Sequence, residues 1–186
     1  MIIGIDEVGR GCWAGPLVAS AVGFFAAVPE GLNDSKKLPA KKRVVLAGQI
    51  TEATKYVGLG WVWPMEINKI GLTESVRLAM QRAYDDLPEH SNESEIIIDG
   101  NINYLSDIAG TRAVIKADGS ISEASAASII AKVARDSYMN EIAKMYPDYG
   151  FDSHVGYGTK KHIQALKTHG VTAIHRLNYK PVKALL

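Results

Sequence analysis

The stretch "IIGIDEVGRG", residues 2–11, decides how the centre of this protein is built. It begins with apolar, β-branched residues, which is typical of a short buried strand. Two adjacent acids, Asp6 and Glu7, follow at once, and a glycine-arginine-glycine turn comes next. Burying carboxylates without a partner is costly, so we expect something to compensate these two charges where the strand ends.

The hydrophobic pattern along the rest of the chain predicts an α/β fold. Runs of β-branched and aromatic residues predict strands at residues 2–6, 17–25, 55–63, 95–100 and 111–118. Helical periodicity predicts helices at 39–54, 72–87, 121–146 and 159–169. Ser120 and Glu123 have the spacing of a capping box at the start of the third helix. A strand-rich first part followed by alternating strands and helices predicts a central mixed five-stranded sheet flanked by helices.

Three of the predicted strands end in an acid, namely Asp6, Asp99 and Asp118. In open α/β sheets, sites form beyond the carboxyl ends of parallel strands, and neighbouring strands lie ~4.8 Å apart. Adjacent strands would therefore bring these carboxylates within reach of one metal ion. Each acid alone is more typical of a turn, since both Asp99 and Asp118 precede a glycine. Together they favour a site for a hard cation, which prefers carboxylate oxygens.

Glu7 would complete a set of four acids. On a regular strand Asp6 and Glu7 point to opposite faces, so both can face the site only if the strand ends or bulges there. Gly9 and Gly11 favour such a break. Two divalent cations about 3.5–4 Å apart can activate a water and stabilise the departing oxygen of a phosphodiester. We therefore predict that Asp6, Glu7, Asp99 and Asp118 are catalytic and bind two cations, Mg²⁺ or Mn²⁺.

Charge is distributed unevenly, although the formal net charge is only +1. Residues 154–186 contain six lysines and arginines and no acid, and residues 31–51 contain five against Asp34 alone. Either run by itself is more typical of a solvated face. Two acid-depleted segments in one small protein favour a polyanionic partner. The composition, 47% hydrophobic and 22% charged, predicts one domain over residues 1–186, with a basic C-terminal helical segment from about residue 154.

Several other classes of protein are disfavoured. The lone Cys12 excludes an internal disulfide, fits a cytoplasmic location, and is expected to be buried and inert. Residues 11–29 carry no charge, but Gly15 and Pro16 interrupt them, which favours a turn and a buried strand over a membrane helix. The chain has neither a Gly-x-Ser-x-Gly elbow nor a phosphate-binding P-loop. Hydrogen-bonding or surface roles, not a zinc site, are expected for the scattered histidines His154, His162, His169 and His175.

Seven motifs carry a family resemblance. In chain order they are "GIDEVGRG" (4–11), "NDSKKL" (33–38), "IIIDG" (96–100), "IKADGS" (115–120), "SAASIIAKVARD" (125–136), "HVGYGTKKH" (154–162) and "IHRLNYKPV" (174–182). This order resembles bacterial-type ribonuclease HII over nearly the whole chain. The resemblance implies a ribonuclease H-like fold in a single catalytic domain. It also implies hydrolysis of RNA strands in RNA/DNA hybrids, and incision 5′ to ribonucleotides embedded in duplex DNA, with 3′-hydroxyl and 5′-phosphate products.

The resemblance assigns further residues to the substrate. It implies metal binding by the same four acids, and it matches Lys36 to a phosphate-contacting position. The family's glycine-arginine-glycine turn, which reads the ribose 2′-hydroxyl through its backbone, corresponds to Gly9, Arg10 and Gly11. Its junction-sensing tyrosine corresponds to Tyr157. These roles agree with elementary chemistry, because the 2′-hydroxyl distinguishes RNA from DNA and glycine lets a backbone approach a sugar closely.

Two departures from the family pattern are visible. Val155 stands where a lysine is frequent, and "ADGS" (117–120) replaces the commoner "GDSK". We expect both to alter affinity or metal preference and not the type of reaction. A catalytically inactive hybrid-binding module and a metal-dependent phosphatase remain as alternative functions. The expected partners are RNA/DNA hybrids and ribonucleotide-containing duplex DNA, without a membrane, and the expected state is a monomer.

Overall fold

The computed structural model describes residues 1–25, 27–88 and 95–186. These residues contain five strands: β1 (Ile2–Val8), β2 (Leu17–Gly23), β3 (Val57–Val62), β4 (Glu95–Asp99) and β5 (Thr111–Val114). They form one sheet in the order β3-β2-β1-β4-β5. β2 is antiparallel to both β1 and β3, whereas β1, β4 and β5 run parallel to one another. The predicted mixed five-stranded sheet is therefore confirmed.

Helices cover both faces of this sheet. The described residues contain six helices: α1 (Ala40–Ala53), α2 (Pro64–Asp85), α3 (Ser122–Met145), α4 (Phe151–His154), α5 (Lys160–His169) and α6 (Lys180–Lys183). Of these, α2 and α3 pack directly on the sheet. Shorter 3-10 turns lie at Ser35–Lys37, Ala117–Gly119 and Pro147–Tyr149. The predicted bounds of α1, α3 and α5 agree with the observed ones to within a residue or two. α2 begins eight residues earlier than predicted, because Pro64 starts a first segment that Gly71, at φ 80°, separates from the second.

Glycines let the helices approach the sheet closely. A Cβ on Gly4 of β1 would collide with the backbone of Glu123 and Ala124, so α3 lies directly against the central strand. On the other face, a Cβ on Gly60 of β3 would meet the backbone of Ala79 in α2. The core therefore forms two layers, one on each side of β1 and β2.

Two local predictions were wrong. β5 ends at Val114, so Asp118 is not at a strand end but in the turn Ala117–Gly119. The cause is Lys116, whose left-handed backbone (φ 59°) turns the chain before the acid. Ser120 does not cap α3 either, because its hydroxyl donates to the carbonyl of Lys116 and Ile121 takes the N-cap position.

Within the uncharged stretch, residues 11–16 form a loop and Leu17–Gly23 forms the fully buried strand β2, as predicted. Within the described residues, no helix has the length and apolar character that crossing a membrane requires.

Candidate active site

Three carboxylates meet beyond the carboxyl ends of β1 and β4. These strands pair in parallel, with Ile5 opposite Ile98, so Asp6 and Asp99 are the next residues along the two strands. The turn Ala117–Gly119 brings Asp118 to the same place, where its backbone N–H donates to Asp99 Oδ1 at 3.3 Å. One oxygen from each of Asp6, Asp99 and Asp118 lies within 4.8 Å of the other two. The sequence therefore predicted this convergence correctly, although one acid arrives by a turn and not by a strand.

The negative charges of Asp6 and Asp118 are only partly balanced by neighbouring side chains, as the pKa values of the two acids indicate. Burial raises the pKa of Asp6 well above its ordinary value, and the negative charges of Glu7 and Asp99 raise it further. Burial and Asp99 also raise the pKa of Asp118, which Lys36 lowers in part. Mg²⁺ and Mn²⁺ prefer carboxylate oxygens as ligands. Their positive charge would offset the repulsion between these acids. The residues present thus fit divalent cations.

Glu7 lies beside this cluster and has a partner of its own. Its Oε1 accepts a hydrogen bond from Arg10 Nη1 at 3.1 Å, and it is not one of the three acids whose oxygens converge. β1 continues in regular pairing as far as Val8, so the strand does not break between Asp6 and Glu7. Burial nevertheless raises the pKa of Glu7, and the charge of Asp99 contributes. A ligand role for Glu7 stays a prediction.

Arg176 holds the predicted glycine-arginine-glycine turn through hydrogen bonds to its backbone carbonyls. This side chain is fully buried, and its guanidinium donates to the carbonyls of Gly9 at 2.7 Å, Arg10 at 3.1 Å and Gly15 at 2.9 and 3.0 Å. Tyr179 adds a hydroxyl bond of 2.6 Å to the Arg10 carbonyl. Counting Arg176 among the surface charges of the C-terminal segment was therefore wrong, since backbone carbonyls surround it.

Arg135 of α3 is a second buried guanidinium under the same loop. It donates to the carbonyls of Pro16 at 2.8 Å, Ala14 at 3.1 Å and Val155 at 2.8 Å. Its side chain fills the space that a Cβ on Gly9 would occupy, and Gly9 has a φ of 92°. Sequence reasoning missed this role, although an arginine among the small and apolar residues of the buried face of α3 was a visible signal.

Tyr157 lies against this loop and borders the acids. Its segment pairs with Cys12 in an isolated bridge, and Trp13 N–H donates to the Gly156 carbonyl at 2.8 Å. The ring shares a cavity of about 250 Å³ with Asp6, Glu7, Ser35, Lys36, Ser128 and Lys132. Burial raises the pKa of Tyr157 to about 12, so the hydroxyl stays protonated at neutral pH. Tyr157, which the resemblance assigns to the junction, thus borders Asp6 and Glu7.

Lysines also line the space around the acids. Lys36 lies in the 3-10 turn Ser35–Lys37, whose start is capped by Asp34 Oδ1 accepting from Lys36 N at 2.9 Å. A cavity of about 900 Å³ is lined by Lys36, Lys37, Asp99, Asp118 and Lys116 among others. Lys116 was not singled out from the sequence, although it stands two residues before Asp118.

Three of the four histidines that look scattered in the sequence come together in space. His154, His162 and His175 are buried and form hydrogen bonds, whereas His169 is exposed. Cys12 is fully buried, and burial raises the pKa of its thiol, which agrees with the expected inert cysteine.

Comparisons with known proteins give one consistent family. A family model described as ribonuclease HII matches residues 3–182. Ribonuclease HII of Shewanella pealeana is 45% identical over 184 residues, which cover 98% of this chain and 89% of that protein. Among solved structures, ribonuclease H2 from Pyrococcus horikoshii aligns with a TM-score of 0.80 at 26% identity, covering 99% of this chain and 96% of that one. A PCNA:RNase HII complex from Archaeoglobus fulgidus aligns with a TM-score of 0.73 at 28% identity, covering 100% and 96%.

The family match spans the strands that carry Asp6 and Asp99, the turn that carries Asp118, and the loop that carries Tyr157. The chain therefore belongs to the ribonuclease HII family, and it is an endoribonuclease with a ribonuclease H-like fold.

Proposed function

We propose that this protein hydrolyses the RNA strand of RNA/DNA hybrids and cuts duplex DNA on the 5′ side of embedded ribonucleotides, leaving 3′-hydroxyl and 5′-phosphate ends. The observation that carries the proposal is the cluster of Asp6, Asp99 and Asp118, with oxygens within 4.8 Å of one another. A cluster of this kind beside a glycine-rich turn and a tyrosine suits phosphodiester hydrolysis at a sugar that must be recognised.

Asp6, Asp99 and Asp118 would hold divalent cations, Mg²⁺ or Mn²⁺, with Glu7 as the proposed fourth ligand. Two bound cations would supply Lewis-acid activation of a water and stabilisation of negative charge on the phosphate. The parallel pairing of β1 with β4 positions Asp6 and Asp99, and the hydrogen bond from Asp118 N–H to Asp99 positions the third acid. Such preorganisation is what electrostatic stabilisation of a transition state requires.

The chain's own residues would place the substrate. Gly11 would leave room for a sugar, since it has no side chain and the nearest atom to a Cβ there is Tyr157 Cε1 at 3.9 Å. Gly9 lets Arg135 pack against the turn, and Arg10 completes it. The Tyr157 ring would pack on the deoxyribose next to the ribonucleotide, where a second 2′-hydroxyl would clash. Lys36 would contact a phosphate without reading sequence, so binding should weaken steeply with salt.

The test is a labelled DNA duplex with one internal ribonucleotide, incubated with Mn²⁺, with Mg²⁺ and with excess chelator. We expect a single metal-dependent incision on the 5′ side of the ribonucleotide. Asp99→Asn should abolish cleavage and leave binding largely intact. Glu141→Gln is the matched control, because Glu141 is exposed and pairs only with Lys144 among the described residues.

The alternatives give different results in the same assay. Binding of the duplex without cleavage in either metal would identify an inactive binding module. Turnover of a generic phosphate ester with inert duplexes would identify a phosphatase. Full wild-type activity in excess chelator would refute the metal-dependent mechanism.

A further inference from the structure

The buried histidines His154, His162 and His175 form a continuous chain beneath the loop that carries Tyr157. The exposed fractions of these residues are 7%, 0% and 0%. The rings of His154 and His162 stack with centroids 4.7 Å apart, and the Nε2 atoms of His162 and His175 are 3.1 Å apart. The catalytic proposal uses none of them.

The hydrogen bonds fix where each proton lies. Thr172 N–H donates to His175 Nδ1 at 2.8 Å, so that nitrogen is an acceptor and the proton of His175 is on Nε2. His175 Nε2–H must then donate to His162 Nε2. His162 consequently carries its proton on Nδ1, and donates it to the Tyr157 carbonyl at 3.0 Å.

His154 acts on the preceding residue of the same loop. Its Nε2–H donates to the Tyr149 carbonyl at 2.8 Å, and its Nδ1 accepts from Gly156 N–H at 3.2 Å. All three rings are therefore neutral, and each has one determined tautomer. Burial agrees with this, since it lowers the pKa of both His162 and His175 to about 4.

The loop needs these bonds, because its backbone is strained. Val155 and Gly156 both have left-handed backbones, with φ values of 43° and 88°. Such a conformation is unfavourable for a β-branched residue like valine and persists only where the surroundings hold it. The histidines hold the Gly156 N–H and the Tyr157 carbonyl, two polar groups on consecutive residues.

We propose that His154, His162 and His175 are positioning residues for Tyr157, with His162 held as its Nδ1–H tautomer. Through Tyr157, these three histidines would determine how well the enzyme distinguishes a ribonucleotide–DNA junction from continuous RNA. The inference rests on the proposed role of Tyr157 at that junction. A small displacement of a positioning group is enough to matter, since misplacement by ~1 Å can cost about 100-fold in rate.

The first test does not depend on activity. Long-range ¹H–¹⁵N spectra of the wild-type protein at neutral pH report the tautomer of each ring. We expect a protonated Nδ1 on His162, and a protonated Nε2 on His154 and His175. An Nε2–H tautomer or a charged ring at His162 would overturn the inference.

The second test compares two substrates, a DNA duplex with one ribonucleotide and a continuous RNA/DNA hybrid. His162→Phe keeps an aromatic ring and removes the donor, so kcat/KM on the first substrate should fall about 10–100-fold, and that on the hybrid much less. His162→Asn retains an N–H at the Nδ1 position and should recover most of the loss. His169→Asn, an exposed histidine on the same helix, is the control and should change neither rate.

A double variant separates positioning from simple structural damage. If His162 acts through Tyr157, then His162→Phe should add little to the defect of Tyr157→Ala, because interacting sites are not additive. Equal losses on both substrates, or additive losses in the double variant, would overturn the inference. A wild-type protein that cuts neither substrate would instead refute the proposed function, and the tautomers would still decide the geometry of the chain.

Discussion

Replacing Asp99 with asparagine should stabilise the metal-free protein while abolishing its activity. Asp99 faces Asp6 and Asp118, and oxygens of the three lie within 4.8 Å of one another. Two unit charges at this distance repel by about 1–3.5 kcal/mol for effective dielectric constants of roughly 80 to 20. Asparagine removes the charge and keeps an oxygen that can still accept from Asp118 N–H. Because the raised pKa values of Asp6 and Asp118 already relieve part of the repulsion, we expect a gain of about 1–3 kcal/mol.

Thermal unfolding in chelator and in saturating Mg²⁺ measures this directly. For a chain of this size, 1 kcal/mol corresponds to about 2–4 °C, so the Tm of Asp99→Asn in chelator should rise by roughly 2–12 °C. Saturating Mg²⁺ at about 100 times Kd should stabilise the wild type by about 2.7 kcal/mol, and Asp99→Asn by much less. Glu141→Gln should respond to the metal like the wild type. A lower Tm for Asp99→Asn in chelator, or an undiminished response to Mg²⁺, would refute the cluster of repelling charges.

Three further predictions concern the buried polar groups. Arg176→Lys should lower the free energy of unfolding in urea by about 2–4 kcal/mol, because one ammonium cannot reach the three carbonyls that the guanidinium serves. Gly9→Ala should destabilise the fold by about 1–3 kcal/mol and reduce cleavage, since φ is 92° there and Arg135 occupies the Cβ position; a circular-dichroism melt and the duplex assay check both. His162 and His175 have pKa values of about 4 in the fold against 6.5 for a free ring. As the pH is lowered, the unfolded chain therefore takes up protons before the folded one does. The free energy of unfolding should fall between pH 6.5 and pH 4 by up to about 3 kcal/mol per ring. The difference between wild type and His162→Asn in urea unfolding across that range isolates the histidine contribution, and equal slopes would contradict it.

The acid cluster could be predicted because its determinants are local. An apolar run that ends in an acid is visible at Asp6 and again at Asp99, and parallel pairing of the two strands brings those ends together. The route to Asp118 could not be predicted, since it depends on the left-handed backbone at Lys116 and not on a hydrophobic pattern. The predicted convergence of the three acids was still correct, because binding a cation depends on where the carboxylate lies and not on the element that carries it.

The hydrogen bonds that support the glycine-arginine-glycine turn and the Tyr157 segment could not be predicted, because they join distant parts of the chain. Arg176 reaches Gly9 across 167 residues, and its charge made a solvated position the natural expectation. The spacing of His162 and His175 in the sequence does not indicate that their rings form a hydrogen bond. Long-range hydrogen bonds to backbone carbonyls leave no periodic trace in a sequence, whereas strands and helices do.

The two departures from the family pattern also have a structural reading. Val155 contributes its backbone carbonyl to Arg135, so a valine there removes a surface cation and keeps the contact that shapes the loop. "ADGS" lacks the usual lysine after Asp118, but Lys116 lines the same cavity as that acid. A cation therefore remains near Asp118, and the effect of this departure on affinity stays a prediction.

The charges of this site are separated in a way that suits its proposed substrate. Within the described residues, neither Arg135 nor Arg176 has a carboxylate partner; both donate to carbonyls, and each lowers the cost of its burial by filling its donor sites. Carbonyls solvate a guanidinium without neutralising it, and the pKa of Arg176 is lowered mainly by burial, with a smaller contribution from the charge of Arg135. Two positive charges thus lie beneath the loop proposed to meet a nucleic-acid backbone, while the uncompensated negative charges lie beside it, where cations would bind. Because loss of either guanidinium would leave backbone carbonyls without their donors, the shape of the loop and its proposed attraction for a polyanion have the same physical source.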